Sequence, residues 1–184
     1  GFRAARGELA EMPEPAQARL FSLTRKSLSR LGFPAYEVSN FARAPELRSR
    51  HNRKYWDHTP YLGIGLGAHS FAWDARGARR WWNERKIRPW TAKVAAAQRP
   101  LAGEETLDIA ALRLEALLLG LRTAEGIDLD RFRERYGLDL AAANEALLAR
   151  LTAEDLAERA GSRLRLTPRG LAVADGLAAR FTVA

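Results

Sequence analysis

Cysteine is absent from all 184 residues of the chain. Without thiols, the chain can form no disulfide and offers no thiolate ligand for zinc or for an iron–sulfur cluster. Methionine occurs once, at Met12, and no apolar run approaches the roughly 18 residues that suggest a membrane span. No stretch has the composition of a secretory signal either, so we expect a cytoplasmic location. What remains is an ordinary soluble composition, 47% hydrophobic and 28% charged.

Charge is unevenly distributed along the chain. Residues 1–103 hold 19 Lys and Arg against 8 Asp and Glu, whereas residues 104–184 hold 11 against 14. A basic first part attracts anions, either nucleic acid or a carboxylated small molecule. The sign changes near Pro100 and Gly103, so we expect a boundary there, with domains over residues 1–98 and 104–184.

The stretch over residues 36–71 concentrates the chemically distinctive side chains. Residues 35–39 alternate apolar and polar types and predict a strand. Residues 61–68 predict a second strand, whose three alternate glycines leave one face bare, so a ligand or another element must approach that backbone closely. Residues 43–60 lie between them as a long connection with few apolar side chains, which is typical of a functional loop.

The rest of the chain shows helical spacing interrupted by turn residues. Helices are expected over residues 14–31, 89–97, 104–121, 128–136, 141–151 and 167–181, and hairpins over 71–81 and 156–166. Asp128 and Thr167 are N-cap residue types, and Pro168 suits a first helical turn. The order after residue 104, three helices, a hairpin and a helix, is typical of a winged-helix-like module. We therefore expect an α/β first part and a mainly-α second part.

His51 is the strongest candidate ligand. A neutral imidazole can bind haem iron while its other nitrogen is oriented by a neighbour such as Asn52. Tyr55 and Trp56 offer flat faces to a planar apolar ligand. Cations of the same loop would meet the carboxylates of that ligand: Arg48, Arg50, Arg53 and Lys54. The alternative interpretation is a loop histidine held by hydrogen bonds, among arginines that only keep the surface soluble.

The other two histidines are weaker candidates. His58 precedes Thr59 and Pro60 in a turn, where we expect a solvated side chain. His69 ends the glycine run, where we expect a hydrogen-bonded wall position. No zinc spacing such as HExxH is present. The glycines lie within a predicted strand rather than between a strand and a helix, which favours close packing over a phosphate-binding loop.

Several segments, in this order and at close spacing, resemble one known family. They are YEVSNFA at 36–42, RHNRKYW at 50–56, YLGIGLGAHS at 61–70, ARRWWN at 78–83, GLRTAEGID at 120–128 and LRLTPRG at 164–170. The set resembles the carboxyl-terminal half of radical S-adenosylmethionine proteins of one kind. These are the oxygen-independent coproporphyrinogen dehydrogenases and the HemW-type haem chaperones. His51-Asn52-x-x-Tyr55-Trp56 resembles the HNxxYW motif of the chaperone branch.

The resemblance implies the end of a (β/α) partial barrel, followed by a winged-helix-like domain. It implies a weak backbone contact of Ala42 with S-adenosylmethionine, and haem binding by His51, Asn52, Tyr55 and Trp56. The family holds a [4Fe–4S] cluster on a CxxxCxxC loop, which this chain lacks. We therefore expect a segment that starts partway through the barrel, with the cluster and S-adenosylmethionine belonging to the intact parent.

The function implied by the resemblance is that of a haem chaperone, which delivers haem to acceptor proteins and has a peripheral membrane contact. An alternative from the same family is an oxygen-independent coproporphyrinogen III dehydrogenase of porphyrin biosynthesis. A third alternative is a nucleic-acid-binding winged helix, which the net charge of +8 suggests. The expected winged module is nevertheless the acidic part, and phosphate contacts need a basic surface, so nucleic acid is not an expected partner.

Overall fold

The computed structural model describes Gly7, residues 12–75 and residues 77–183. Over these residues the chain is a mixed α/β protein with two three-stranded sheets, both antiparallel. The first helix, α1 (Glu14–Arg30), has proline in its first turn and is followed by Gly32 at φ +81°. Proline fits a first turn because that position needs no backbone donor, so the predicted start of this helix is confirmed.

The segment after α1 is mostly irregular. It contains a 3-10 turn at Pro45–Leu47 and one short helix, α2 (Arg50–Trp56). The strands predicted over 35–39 and 61–68 are wrong. Only isolated bridges form there, namely Ala35 with Phe41, Glu37 with Thr123, and Tyr61 with Phe71. An extended run needs a neighbouring ladder to become a strand, and the positive φ angles of Gly65 and Gly67 turn this backbone away instead.

The first sheet follows directly and has the order β1-β2-β3. Its strands are β1 (His69–Asp74), β2 (Gly77–Asn83) and β3 (Leu101–Leu107), and α3 (Ile87–Ala95) connects the second to the third. The hairpin predicted over 71–81 is confirmed, since Asp74 pairs with Gly77 and Phe71 with Arg80. The third strand is not predicted, because residues 101–103 fall in the expected boundary and residues 104–107 in the expected helix that follows it.

The second part packs helices around a small sheet of order β4-β6-β5. The helices are α4 (Ile109–Leu121), α5 (Leu129–Tyr136), α6 (Leu140–Ala143), α7 (Glu145–Ala153), α8 (Pro168–Leu171) and α9 (Ala174–Ala178). The strands are β4 (Ile127–Asp128), β5 (Ala157–Ala160) and β6 (Arg163–Leu166), and the last two form the hairpin predicted over 156–166.

Three predicted helices have different bounds, each for a local reason. The helix predicted from 104 begins only after Asp108, whose carboxylate accepts from Ala111 N, because the preceding residues pair with β2. The helix predicted over 141–151 is split at Asn144, whose amide donates to Leu140 O and Thr182 O. The last helix is interrupted at Val173, which has φ −129°.

The hydrophobic core is one continuous cluster centred on α4. Leu112, Leu117 and Leu121 are fully buried on this helix. Phe71 and Ala78 of the first sheet belong to the same cluster, although they precede the predicted domain boundary. The division into residues 1–98 and 104–184 therefore stays a prediction, and the core itself crosses it.

Candidate functional site

All three histidines line one cleft of about 840 Å³, which we call the histidine cleft. Its walls come from α2, from the irregular residues 61–68, from the first sheet and from α4. Its lining includes His51, His58 and His69, the aromatic Tyr55 and Tyr61, and the apolar Leu62, Ile64 and Leu118. Clefts of this size, largely apolar with a few polar groups, are typical of small-molecule sites.

One edge of α2 faces the histidine cleft. Ser49 caps this helix, since its hydroxyl accepts from Asn52 N at 3.2 Å. His51 and Tyr55 lie one turn apart, and the Tyr55 hydroxyl is 3.2 Å from His51 Nε2. Their rings meet edge to face, with centroids 5.0 Å apart. His51 is exposed, so its imidazole is accessible from the cleft.

The other two residues of the HNxxYW motif point elsewhere. Asn52 Nδ2 donates to Asn40 Oδ1 at 3.5 Å, so Asn52 does not orient His51 as the sequence suggested. The Tyr55 hydroxyl, 3.2 Å from His51 Nε2, makes the contact with the imidazole that the sequence suggested for Asn52. Trp56 lines a second cavity of about 600 Å³, where its ring lies 6.0 Å from that of Tyr36. Residues five apart on a helix face different directions, which is why one motif serves two cavities.

The cations predicted to meet ligand carboxylates are also divided. Arg48 pairs with Glu125 and lies over the Tyr36 ring, 5.5 Å from its centroid, beside the second cavity. Arg53 lines that second cavity as well. Lys54 lines the histidine cleft, and no ion pair of its ammonium group occurs within the described part of the chain.

A row of aromatic rings forms the back wall of the histidine cleft. Tyr55 meets Tyr61 at 4.8 Å, and Tyr61 stacks on Phe71 at 6.2 Å. Phe71 in turn stacks on the imidazole of His58 at 5.5 Å. Tyr55 and Tyr61 present ring surface to a flat ligand in the cleft, whereas Phe71 and His58, only 2% and 3% exposed, support these rings from behind.

His58 lies beneath this wall, contrary to the prediction of a solvated side chain. It is 3% exposed, and its Nδ1 lies 2.9 Å from the Tyr136 hydroxyl. Its Nε2 has no hydrogen-bond partner among the described residues, and Glu115 Oε2 lies 3.5 Å away. Burial raises the pKa of Tyr136 to about 12, so this hydroxyl stays neutral at ordinary pH.

The polar end of the cleft is formed by Arg80 and two carboxylates. Arg80 Nη2 donates to Glu115 Oε2 at 2.6 Å, and Nη1 donates to Glu105 Oε1 at 2.9 Å. The His58 imidazole and the Arg80 guanidinium together lower the pKa of Glu115 to about 2. Arg80 makes the stronger contact with Glu115, because its Nη2 lies 2.6 Å from the carboxylate whereas His58 Nε2 lies 3.5 Å away. Glu115, Arg80 and Tyr136 carried no signal in the sequence, since each lies 22 or more residues from His58.

The glycine run packs as its composition suggested, although not within a strand. A Cβ on Gly63 would lie 2.1 Å from the carbonyl oxygen of His69, so this backbone approach admits only glycine. Asn83 Nδ2 donates to Gly65 O at 2.9 Å and secures the turn. His69 stacks on Trp82, with centroids 5.7 Å apart.

Ala42, the candidate contact for S-adenosylmethionine, has few groups free for a ligand. Ala42 is buried, and its amide donates to Pro34 O at 3.2 Å, which leaves only its carbonyl for another contact.

Within the described residues, no group of three or more His, Asp or Glu side chains could hold a metal ion. No helix in this part of the chain is both long and apolar enough to cross a membrane.

Comparisons with known proteins agree on one family. Residues 107–173 match the HemN C-terminal domain. A haem chaperone HemW of Mycobacterium tuberculosis is 37% identical over 175 residues, which cover 95% of this chain and 42% of the relative. The haem chaperone HemW of Bacillus subtilis is 28% identical over 165 residues, covering 90% of this chain and 42% of that protein. This chain thus spans about two-fifths of the length of these relatives.

Among solved structures, coproporphyrinogen III oxidase (HemN) of Escherichia coli, described as a radical SAM enzyme, aligns with a TM-score of 0.49 and 16% identity. The alignment covers 83% of this chain and 32% of that one.

Proposed function

Because this chain is a homologue of the HemW-type haem chaperones along 95% of its length, we propose that it binds haem in the histidine cleft. The observation that carries the proposal is the joining of an exposed imidazole to a flat aromatic wall in a space of about 840 Å³. Haem is flat and largely apolar, and its iron takes an imidazole ligand. In this proposal His51 binds the iron and Tyr55 orients the imidazole.

The surroundings of His51 fit such a ligand. Leu62 is 70% exposed and Ile64 is 88% exposed at the mouth of the cleft, a costly arrangement unless a ligand or partner covers them. Lys54 is the cation best placed for a propionate group, since Arg80 is already engaged by two carboxylates. Asn52 and Trp56 act indirectly in this scheme, by anchoring α2 on its other face.

This chain offers few groups for the other two cofactors of a radical S-adenosylmethionine protein, the iron–sulfur cluster and S-adenosylmethionine. The donor set of this chain does not fit a [4Fe–4S] cluster, because it contains no cysteine. For S-adenosylmethionine, Ala42 offers only its backbone carbonyl, which supports no more than a peripheral contact.

We also propose that residues 104–184 act as a winged-helix-like module over a barrel end formed with residues 1–98. The hairpin of β5 and β6, between α7 and α8, would be the wing. Delivery of haem to acceptor proteins in the cytoplasm, with a peripheral membrane contact, would be the task of the whole protein. Nucleic acid is left out, because residues 104–184 carry 11 basic against 14 acidic side chains.

A hemin titration followed at the Soret band tests the role of His51. We expect saturable binding with a shifted band in the unmodified chain, and loss of that shift in His51→Ala, because the iron loses its nitrogen ligand. Arg88→Ala is the control, since Arg88 is an exposed cation on α3 that lines neither cavity. A His51→Ala chain that titrates like the unmodified one would remove the proposed ligand.

A further inference from the structure

Two residues of α5 hold the end of the helix that carries His51. Arg135 Nη1 donates to Asp57 O at 2.7 Å, and Arg135 Nη2 donates to His58 O at 2.9 Å. The guanidinium therefore binds two successive carbonyls directly after α2, where a cation also meets the negative end of the helix dipole. Its Cζ lies 4.5 Å from the centroid of the Trp73 ring, which fixes the guanidinium from one side.

Tyr136 adds a third contact with the same two-residue turn. Its hydroxyl lies 2.9 Å from His58 Nδ1, and its ring is buried. His58 has φ +47°, a left-handed conformation that is unfavourable for a residue with a side chain. The surrounding contacts hold this conformation, because the His58 carbonyl also accepts from Trp73 Nε1 at 3.0 Å.

The helix α2 needs support from its ends. It has seven residues and none of them is buried, so the contacts of Asn52 with Asn40 and of Trp56 with Tyr36 are made at a partly exposed face and leave the two ends to be held separately. Its beginning is secured by Ser49, whose amide donates to the Tyr36 hydroxyl at 3.1 Å. Its end is secured by the contacts of Arg135 and Tyr136 with residues 57 and 58, which we call the Arg135–Tyr136 contact.

We propose that the Arg135–Tyr136 contact positions α2 so that His51 and Tyr55 face the histidine cleft. Both positioning residues lie within the segment that matches the HemN C-terminal domain. This segment thus sets the geometry of a helix that lies outside it, and it controls the ligand site without touching the ligand. The proposal rests on haem binding at His51 for its functional consequence, but the positioning of α2 can be measured without haem.

Arg135→Met tests the contact, and Arg133→Met is its control. Arg133 lies on the same helix, two residues away, with a side chain 71% exposed and a surface pairing with Asp139. Loss of a group that orients a ligand residue typically weakens binding about tenfold or more, so we expect the hemin dissociation constant to rise about tenfold in Arg135→Met only. Arg135→Lys should fall between the two, since an ammonium group does not reproduce the planar fork.

Amide hydrogen exchange without haem supplies the independent readout. We expect exchange of the α2 amides to accelerate in Arg135→Met and, to a smaller extent, in Tyr136→Phe, while β1 and β2 keep their protection. Tyr136→Phe keeps the buried ring and removes only the hydroxyl. If Arg135→Met unfolds, exchange of the α2 amides in Tyr136→Phe still tests whether this contact positions α2.

The two proposals can fail separately. Unchanged exchange of α2 in both variants would overturn the positioning role, whatever hemin does. Accelerated exchange of α2, together with hemin binding that ignores His51, would support the positioning role and overturn the proposed haem site.

Discussion

At the scale of single residues, Glu115 carries the clearest electrostatic consequence. Its pKa falls from 4.5 to about 2 through the His58 imidazole and the Arg80 guanidinium, while in the unfolded chain it returns to about 4.5. Above pH 5 the carboxylate is charged in both states and its contacts stabilise the fold in full. As the pH falls from about 5 towards 2, only the unfolded state takes up the proton, so this stabilisation is progressively lost.

Glu115→Gln should therefore flatten the acid limb of the stability curve. The shift corresponds to at most about 3 kcal/mol, and to less in practice because the carboxylate is partly exposed. The free energy of unfolding, measured in urea at pH 7 and pH 3, should fall less in Glu115→Gln than in the unmodified chain. Glu105→Gln, which removes the more exposed partner of Arg80, is expected to keep the original slope. Equal slopes in all three chains would show that the Glu115 contacts are not made in solution.

The histidines show where prediction from single residues ends. His51 was singled out because of its neighbours in sequence, and the structure places it on the edge of a cleft with Tyr55. His58 was expected in solvent because it stands before Thr59 and Pro60. It is buried because Tyr136, 78 residues away, supplies a partner for its ring, and no local pattern contains that information.

At the scale of secondary-structure elements, Thr167 offers a sharp test of a predicted cap. Its hydroxyl accepts from Gly170 N at 3.1 Å at the start of α8 and donates to Asp155 O at 2.7 Å. Thr167→Ala removes both hydrogen bonds at a buried position, so we expect a loss of about 2 kcal/mol in the free energy of unfolding. Thr167→Ser keeps the hydroxyl and should lose much less. Equal losses in the two variants would mean that the methyl group, not the cap, stabilises this turn.

Helix caps and local hairpins can be predicted from the sequence, whereas strands with distant partners cannot, for a physical reason. Asp128 and Thr167 cap their helices by accepting from the amide three residues further along, so the local sequence contains both partners. A strand depends on a ladder with a distant partner. The alternating pattern of 35–39 forms only isolated bridges and no ladder. Residues 104–107 pair with β2, although their sequence favours a helix.

At the scale of the whole molecule, the division into two parts competes with the continuity of the core. The change of charge sign at residue 103 suggested two domains. The structure carries β3 across that point, and it joins Phe71 and Ala78 to the leucines of α4 in one cluster. Since buried contacts of this kind unfold together in small proteins, we expect both parts to melt as one cooperative unit.

Tryptophan fluorescence can test this, because all five tryptophans, at positions 56, 73, 81, 82 and 90, precede the predicted boundary. Leu117 lies beyond it, fully buried on α4, and Leu117→Ala should cost about 2–5 kcal/mol through the cavity it leaves. If the core is continuous, the urea midpoint of the tryptophan signal falls with that loss. Leu114→Ala, on the same helix but 42% exposed, should shift the midpoint little. A tryptophan midpoint that Leu117→Ala leaves unchanged would instead mean that residues 1–98 unfold on their own. The boundary suggested by charge would then separate two independently unfolding units.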